Sequence, residues 1–238
     1  MGRAYEVRKA SIQKTGAARG KIYAMYAKEI YQAAKNGGTE VSSNAKLKRL
    51  MERAKKDQVP NDIIKRAIDK VNSGVDETYT EATYEMFGPG GSTLVIECLT
   101  DNLNRSVSDL RAIVNKCHIK MGAIGSVTFN YDHFCVISVK DLDEESIMNS
   151  LIENDIDVED IEVEEDAIII YGKPQDLYAI KAAITSINPD IEFDMDEITY
   201  IAKEKIDLAG EDKEIFERVL TMLDEVEDVQ HVYHNVNL

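Results

Sequence analysis

The residue types that carry out catalysis or bind metals are sparse in this sequence and lack the required patterns. The four histidines, His118, His133, His231 and His234, show no metal-ligand spacing, and the last two, on one predicted strand, point to opposite faces. The three cysteines form no C-x-x-C motif, which indicates free thiols in a reducing compartment. No nucleophile with a nearby base and no paired-carboxylate site emerges. We therefore predict no catalytic site, no metal and no cofactor.

Two segments have partial similarity to ligand-binding loops. The glycine-rich run 88–91 lacks the lysine of a phosphate-binding loop, and Ser92 after it opens a strand rather than a helix, so we predict a turn. Asp141, Asp143 and Glu145 are spaced like the start of a calcium loop, but Ser146 stands where the loop requires glycine. We interpret these acids as the start of a helix, where they favour the helix dipole.

Positive charge is concentrated near the N terminus of an otherwise acidic chain. The net charge of the 238 residues is −16, yet residues 1–75 hold 17 Lys and Arg against 7 Asp and Glu, a balance of +10. Residues 76–238 hold 11 against 37, a balance of −26. Rows of cations bind phosphates with release of counterions, so the predicted partner is nucleic acid.

Helical geometry places these cations on shared faces, since each residue turns the helix by about 100°. Arg49, Arg53 and Lys56 fall within about 80° of Lys46, away from the apolar face. On the first helix, Tyr31 lies within about 80° of the side that carries Lys35 and could stack on a base, but we interpret it as a partly buried helix residue. The predicted nucleic-acid-binding residues are Arg8, Lys9, Lys14 and Arg19 in a basic arm, Lys21, Lys28 and Lys35 on the first helix, and Lys46, Arg49, Arg53 and Lys56 on the second.

Three helices are predicted to position these side chains. Apolar residues recur at helical spacing over residues 17–36, and Gly37 with Gly38 ends that helix. Asn44 is a suitable N-cap for the second helix, and Pro60 introduces the third. These elements form a predicted basic helical domain at residues 1–77.

Beyond residue 77 the apolar period changes to two, which is typical of strands. Strands are predicted at residues 80–87, 92–99 and 124–131, with a helix at 105–117. Residues 133–201 follow the order βαββαβ, the ferredoxin-like arrangement, and are strongly acidic. The last helix and strand are inferred to complete the earlier sheet, with a separate C-terminal tail as the alternative. The predicted fold is α+β with three domains: three helices at 1–77, a discontinuous α/β domain at 78–132 and 202–238, and the ferredoxin-like unit inserted at 133–201.

Four segments carry a resemblance to a known family. They read GKIYAMYAKEIYQAAKNGG from Gly20, ERAKKDQVPNDIIKRAIDK from Glu52, YEMFGPGGSTLVIECLTDNLNR from Tyr84 and GSVTFNYD from Gly125. Together they resemble the YebC/PmpR family over nearly the whole chain, and the opening MGRAYEVRK is similar to its second, YeeN-like bacterial branch. The resemblance implies a cytoplasmic protein without enzymatic activity, described in the family as a DNA-binding transcriptional regulator or as a factor acting on ribosomes. It also implies that Asn102, Asn104 and Arg105, from the LTDN-x-NR motif, shape an inter-domain groove.

The leading hypothesis is a nonenzymatic cytoplasmic regulator of gene expression that binds DNA or ribosomal RNA through residues 1–70. One alternative is a ribosome-associated translation factor that binds rRNA or tRNA and relieves stalling. In either case the acidic domains are expected to contact the ribosome or another protein. A second alternative is a small-molecule-sensing α/β protein with the ferredoxin-like unit as its ligand domain, and a third is a protein-interaction adaptor. The longest apolar runs are strand-sized, so no membrane partner is expected.

Overall fold

The computed structural model describes residues 19–74, 76–164 and 166–238. Within these ranges the chain forms two compact units. One contains residues 19–129 and 204–238, and the other contains residues 130–203. The predicted domain boundaries near residues 77, 132 and 201 stay a prediction.

The first unit begins with the three predicted helices, α1 (Arg19–Gly37), α2 (Ala45–Lys56) and α3 (Asn61–Asn72). Asn44 joins α1 to α2, since its Oδ1 accepts the Leu47 N–H at 3.0 Å and its Nδ2 donates to the Ala33 carbonyl at 2.8 Å. A Cβ on Gly37 would lie 2.6 Å from the Asn44 side chain, so this junction requires glycine. The helices bury a common apolar core that includes Tyr26, Ile30, Leu47, Leu50, Ala54, Ile64 and Ala67.

The same unit contains an antiparallel sheet built from both ends of its chain. Its strands are β1 (Thr80–Phe87), β2 (Thr93–Thr100), β3 (Lys120–Met121) and β8 (Val229–His234), in the order β3-β1-β2-β8. Helices α4 (Leu103–Cys117) and α7 (Gly210–Glu225) pack against it through Leu110, Ile113, Phe216, Val219 and Leu223. Because β8 pairs with β2, the C-terminal strand returns to the first sheet, and the alternative of a separate tail is wrong.

The strand predicted at residues 124–131 is wrong over most of its length. Those residues form a loop and a short 3₁₀ turn, Thr128–Asn130, before the next strand begins. The buried carboxylate of Glu85 accepts the backbone N–H groups of Gly125, Val127 and Thr128. Burial raises the pKa of Glu85, but these hydrogen bonds outweigh that effect and hold the pKa below its usual value. The donors of this loop therefore bind a side chain instead of a neighbouring strand.

The second unit has the predicted βαββαβ order. Its elements are β4 (Tyr131–Val139), α5 (Glu144–Glu153), β5 (Asp160–Val163), β6 (Ile168–Gly172), α6 (Leu177–Ile187) and β7 (Phe193–Ala202). The strands form an antiparallel sheet in the order β5-β6-β4-β7. The two helices pack together on one apolar face of the sheet, with Ile137, Ile147, Leu151, Ile170 and Ile180 in the core. The predicted fold class, including the inserted ferredoxin-like unit, is confirmed.

Candidate nucleic-acid interface

Helix α2 presents the densest exposed positive charge near the N-terminal end of the described chain. Of its 12 residues six are Lys or Arg, and only Glu52 is acidic. The side chains of four of them are exposed: Lys46, Lys48, Lys55 and Lys56. Three of its cations lie in the last turn, where they offset the partial negative charge of the helix end. The helix can therefore carry this charge without loss of local stability.

The exposed arc of α2 differs from the predicted face. With Lys46 at zero, the exposed positions Lys48, Lys55 and Lys56 span about 180° to 280°. Arg49, a residue of the predicted binding face at about 300°, is only 7% exposed although it lies between exposed Lys56 and exposed Lys46. Arg53 is half-buried beside Tyr26, whose hydroxyl donates to Asp57. Lys46 and Lys56 are thus the exposed members of the predicted set on α2, and Lys48 and Lys55 join them.

The three predicted lysines of α1 contact carboxylates of their own chain. The Lys21 Nζ lies 3.1 Å from Asp224 Oδ1, and its side chain is 17% exposed. The Lys28 Nζ lies 3.2 Å from Glu227 Oε1 and 3.4 Å from Asp228 Oδ1, and its side chain is 10% exposed. This part of the predicted phosphate-binding row is therefore already occupied.

The third lysine of α1 and the candidate stacking residue are also engaged within the chain. The Lys35 Nζ donates to Asp76 Oδ1 at 2.6 Å, and this hydrogen bond raises the pKa of Lys35 and lowers that of Asp76. Tyr31 is 2% exposed, and its hydroxyl accepts the Glu77 N–H at 3.0 Å. Its interpretation as a buried helix residue is confirmed. Arg19 is exposed at the start of α1, whereas Arg8, Lys9 and Lys14 lie outside the described residues.

The motif residues at the start of α4 form a hydrogen-bond network around a buried carboxylate. Asn102 caps α4, since its Oδ1 accepts the Arg105 N–H at 3.1 Å, and Asn104 is exposed on the first turn. The Arg105 guanidinium donates to both oxygens of Asp228, from Nη2 to Oδ1 at 2.7 Å and from Nε to Oδ2 at 3.1 Å. Asp228 thus links α4 to Lys28 of α1. An inter-domain groove shaped by these residues stays a prediction.

Asp228 is 1% exposed, and its other hydrogen bonds explain how a charge is tolerated there. Ser106 Oγ donates to it at 2.8 Å and Thr100 Oγ1 at 2.9 Å. Burial raises the pKa of Asp228, but the hydrogen bonds from Arg105, Ser106 and Thr100 outweigh that effect and hold the pKa below its usual value. The carboxylate stays ionised and fixes the turn before β8.

Comparison with known proteins decides which family has this arrangement. Residues 3–74 match the model described as "TACO1/YebC protein N-terminal domain", and residues 79–236 match "TACO1/YebC second and third domain". The chain belongs to the TACO1/YebC family. The predicted family resemblance is thereby confirmed.

Individual relatives of this TACO1/YebC chain align over almost its full length. A "Probable transcriptional regulatory protein" of Pseudoalteromonas atlantica is 44% identical, covering 99% of this chain and 97% of that protein. One of the same description from Vibrio parahaemolyticus is 44% identical, covering 100% of both. The crystal structure of the conserved hypothetical protein Aq1575 from Aquifex aeolicus superposes with a TM-score of 0.71 at 30% identity, covering 94% of this chain and 92% of that one.

Three further features of this TACO1/YebC chain concern metal binding, thiol reactivity and membrane spans. Within residues 19–74, 76–164 and 166–238, no cluster of His, Cys, Asp and Glu is arranged to hold a metal ion. The three cysteines are buried and form no disulfide, and burial raises the pKa of Cys98 to about 12. No helix in these ranges combines the length and apolar character needed to cross a membrane.

Sequence reasoning missed the residues that occupy the lysines of α1 in this TACO1/YebC chain. The partners lie about 200 positions away, in the run Asp224, Glu225, Val226, Glu227 and Asp228. The only sequence signal was the density of acids in that run. No local pattern indicates which cations it meets, because the contact depends on how α7 and β8 return to the first unit.

Proposed function

We propose that this protein is a nonenzymatic regulator of gene expression that binds the phosphate backbone of nucleic acid through α2. The observation that carries the proposal is the exposed group Lys46, Lys48, Lys55 and Lys56 on one short helix of an acidic chain. We call this group the α2 lysines. The relatives described as probable transcriptional regulatory proteins support a role in gene expression.

The electrostatic argument rests on the contrast between α2 and the rest of the molecule. A chain of net charge −16 is repelled by a polyanion unless its cations are concentrated on one surface. Lys48, Lys55 and Lys56 lie within about 100° of one another around α2 and supply such a surface. Lys46 lies about 80° beyond Lys56, and its Nζ is 3.5 Å from Glu81 Oε1. Binding there gains free energy from released counterions, so it weakens steeply as salt rises.

The surface chemistry of α2 favours backbone contacts over base reading. Besides the lysines, its exposed residues are Ala45 and Glu52, so the helix presents no exposed aromatic or amide side chain. Phosphate contacts position a protein on nucleic acid but do not read its sequence. We therefore propose modest sequence specificity. We also propose action in the cytoplasm, where the buried thiols stay reduced.

The test replaces the four α2 lysines by Gln in the full-length protein. Binding to a duplex DNA fragment and to ribosomes is measured over a salt series, by gel shift and by pelleting. If four phosphates are neutralised, the wild-type slope of log affinity against log salt on DNA is about −3.6, and the variant flattens it. We expect the variant to bind about 100-fold more weakly at moderate salt.

The matched control is a second fourfold variant with Arg111, Lys116, Lys120 and Lys213 replaced by Gln. These cations are also exposed and lie on α4, β3 and α7 of the same unit. Because four cations are again replaced, the change in net charge is identical. Equal losses in both variants, or binding that does not respond to salt, would contradict the proposal. Preference for DNA over ribosomes, or the reverse, identifies the natural target.

A further inference from the structure

The end of α7 and the turn after it form the acidic partner of α1. This acidic turn, residues 224–228, holds Asp224, Glu225, Glu227 and Asp228. Helix α7 has no basic residue in its last turn, so its own sequence does not offset the partial negative charge at its C-terminal end. Cations from elsewhere are therefore favoured at this place.

Two lysines of α1 meet this charge much as they would meet phosphates. Lys21 Nζ donates to the Asp224 carbonyl at 2.5 Å and to its carboxylate at 3.1 Å, and lies 3.5 Å from the Leu223 carbonyl. Lys28 Nζ contacts the Glu227 and Asp228 carboxylates. Each ammonium thus faces two or more anionic or carbonyl oxygens, the arrangement that a nucleic-acid backbone also provides.

Helix α1 makes hydrogen bonds and ion pairs with α7, the acidic turn and β8. Among the described residues, the buried core of the three helices and that of the first sheet share no residue. His231 on β8 faces Glu29 of α1 with 3.7 Å between Nε2 and Oε1. Two buried atoms here, Gln32 Oε1 and His231 Nδ1, have no hydrogen-bond partner in the described part of the chain, which costs free energy. Such a contact is weaker than a shared core.

When α1 separates from the acidic turn, the carboxylates of the turn that Lys21 and Lys28 contact keep other partners or are hydrated. Asp228 keeps its hydrogen bonds from Arg105, Ser106 and Thr100 when Lys28 leaves. Asp224 and Glu227 are 56% and 76% exposed, so water replaces their lysine partners. The lysines themselves become available to another polyanion.

From these contacts we infer that the acidic turn is an internal competitor that occupies Lys21 and Lys28 until nucleic acid displaces it. The inference rests on the proposed function and adds regulation to the same basic helical region. While the turn is bound, α2 carries the interaction. Once it is displaced, α1 contributes further phosphate contacts, and affinity rises.

The experiment neutralises the two exposed acids of the turn with Asp224→Asn and Glu227→Gln in the full-length protein. The variant should bind a duplex DNA fragment or an RNA of equal length about threefold to tenfold more tightly than wild type. Its salt slope on DNA should be steeper by about 2, because in wild type the cations taken up by the two displaced carboxylates offset those that Lys21 and Lys28 release from the DNA, whereas the neutral side chains take up none. The matched control is Glu211→Gln with Glu214→Gln, which changes the net charge equally at the opposite end of α7.

A second measurement reports on the contact without nucleic acid. Acetylation of single lysines, followed by mass spectrometry at low salt, should be several-fold slower at Lys21 and Lys28 than at exposed Lys48. Asp224→Asn with Glu227→Gln should weaken that protection at both lysines, because only Asp228 and backbone carbonyls remain beside them, and the control variant should leave it unchanged. Equal acetylation rates in the wild type would overturn the inference.

The outcomes separate this inference from the proposed function. Equal gains in affinity for the variant and its control, or no gain in either, overturn the internal competitor while nucleic-acid binding stands. Failure of wild type and both variants to bind DNA or RNA at low salt overturns the proposed function, and the competitor role with it. Tighter binding confined to the variant, together with weakened protection of Lys21 and Lys28, supports both.

Discussion

Helices α1 and α2 are both basic and both belong to the first compact unit, yet their lysines have different surroundings. The side chains of Lys21, Lys28 and Lys35 on α1 are 17%, 10% and 27% exposed, and each contacts a carboxylate of the same chain. The α2 lysines are exposed. A row of cations on a helix thus predicts an anionic group beside it, and the tertiary structure decides whether that group belongs to the same chain or to another molecule.

The difference follows from what packs against each helix. Helix α1 packs against α2 and α3 through residues such as Ile30 and Ala34, and its lysine face meets the acidic turn. Helix α2 buries one arc in the same core, and most of its remaining arc faces solvent. The lysines of α1 therefore pair with acids of the same chain, whereas the α2 lysines are exposed to solvent.

The largest expected effect is at Asp228, the buried acid of the turn that contacts both Arg105 and Lys28. Asp228→Asn removes the charge that Arg105 and Lys28 share, and we expect a loss of about 3 kcal/mol in the free energy of unfolding. Asp224→Asn, in the exposed part of the same turn, should change stability by less than about 0.5 kcal/mol. Urea denaturation followed by circular dichroism measures both. Equal effects of the two substitutions on the free energy of unfolding would mean that Asp228 contributes no more to stability than an exposed acid of the turn.

Acid should weaken the contribution of Asp228 to stability in a predictable direction. The pKa of Asp228 is lower in the folded protein than in the unfolded chain, where it is about 3.9. Its contribution to stability is therefore complete above about pH 5 and is lost as the pH falls through the lowered folded pKa. The stability difference between wild type and Asp228→Asn should shrink over that range, because both side chains become neutral. A difference that does not change with pH would contradict the assignment.

Two neighbouring cations of α2 sharpen the comparison within one helix. Arg49 is buried and Lys48 is exposed. Arg49→Gln should lower the free energy of unfolding by about 1.5 kcal/mol, since the stem of a buried arginine packs against apolar groups. Lys48→Gln should change stability by less than about 0.5 kcal/mol but weaken binding of nucleic acid. The reverse ranking in unfolding would show that the predicted face of α2 was the correct one.

The fold was largely predictable because its determinants are local or periodic. The helical spacing of α1 to α3, the Asn44 cap and the βαββαβ order of residues 131–202 all appear in the structure. The strand expected at residues 124–131 failed because its apolar residues fit a strand while Glu85, about 40 positions earlier, takes its backbone donors. Periodicity alone does not reveal such a distant acceptor.

The candidate site was less predictable, for the same physical reason. Angular positions around α2 predict a charged side, but tertiary packing decides which of its cations are covered, so Arg49 on the predicted face is buried and Lys48 outside it is exposed. The lysines of α1 were grouped correctly on one face, but their partners come from residues 224–228. Side-chain type and spacing show where charge collects, whereas its partner depends on long-range topology.

The smallest expected effect separates two lysines within α1. Lys28 is 10% exposed and contacts the buried Asp228, whereas Lys35 pairs with Asp76, whose side chain is 83% exposed. Lys28→Gln should lower the free energy of unfolding by about 1 kcal/mol, since Asp228 keeps its other donors. Lys35→Gln should produce no measurable change at high salt, because exposed pairs are screened while partly buried ones are screened much less. Urea denaturation of both variants at low and high salt tests this ranking. Equal salt sensitivity would mean that the contact of α1 with the acidic turn is as open to solvent as an ordinary surface pair, and that α1 and α2 differ less than their exposures indicate.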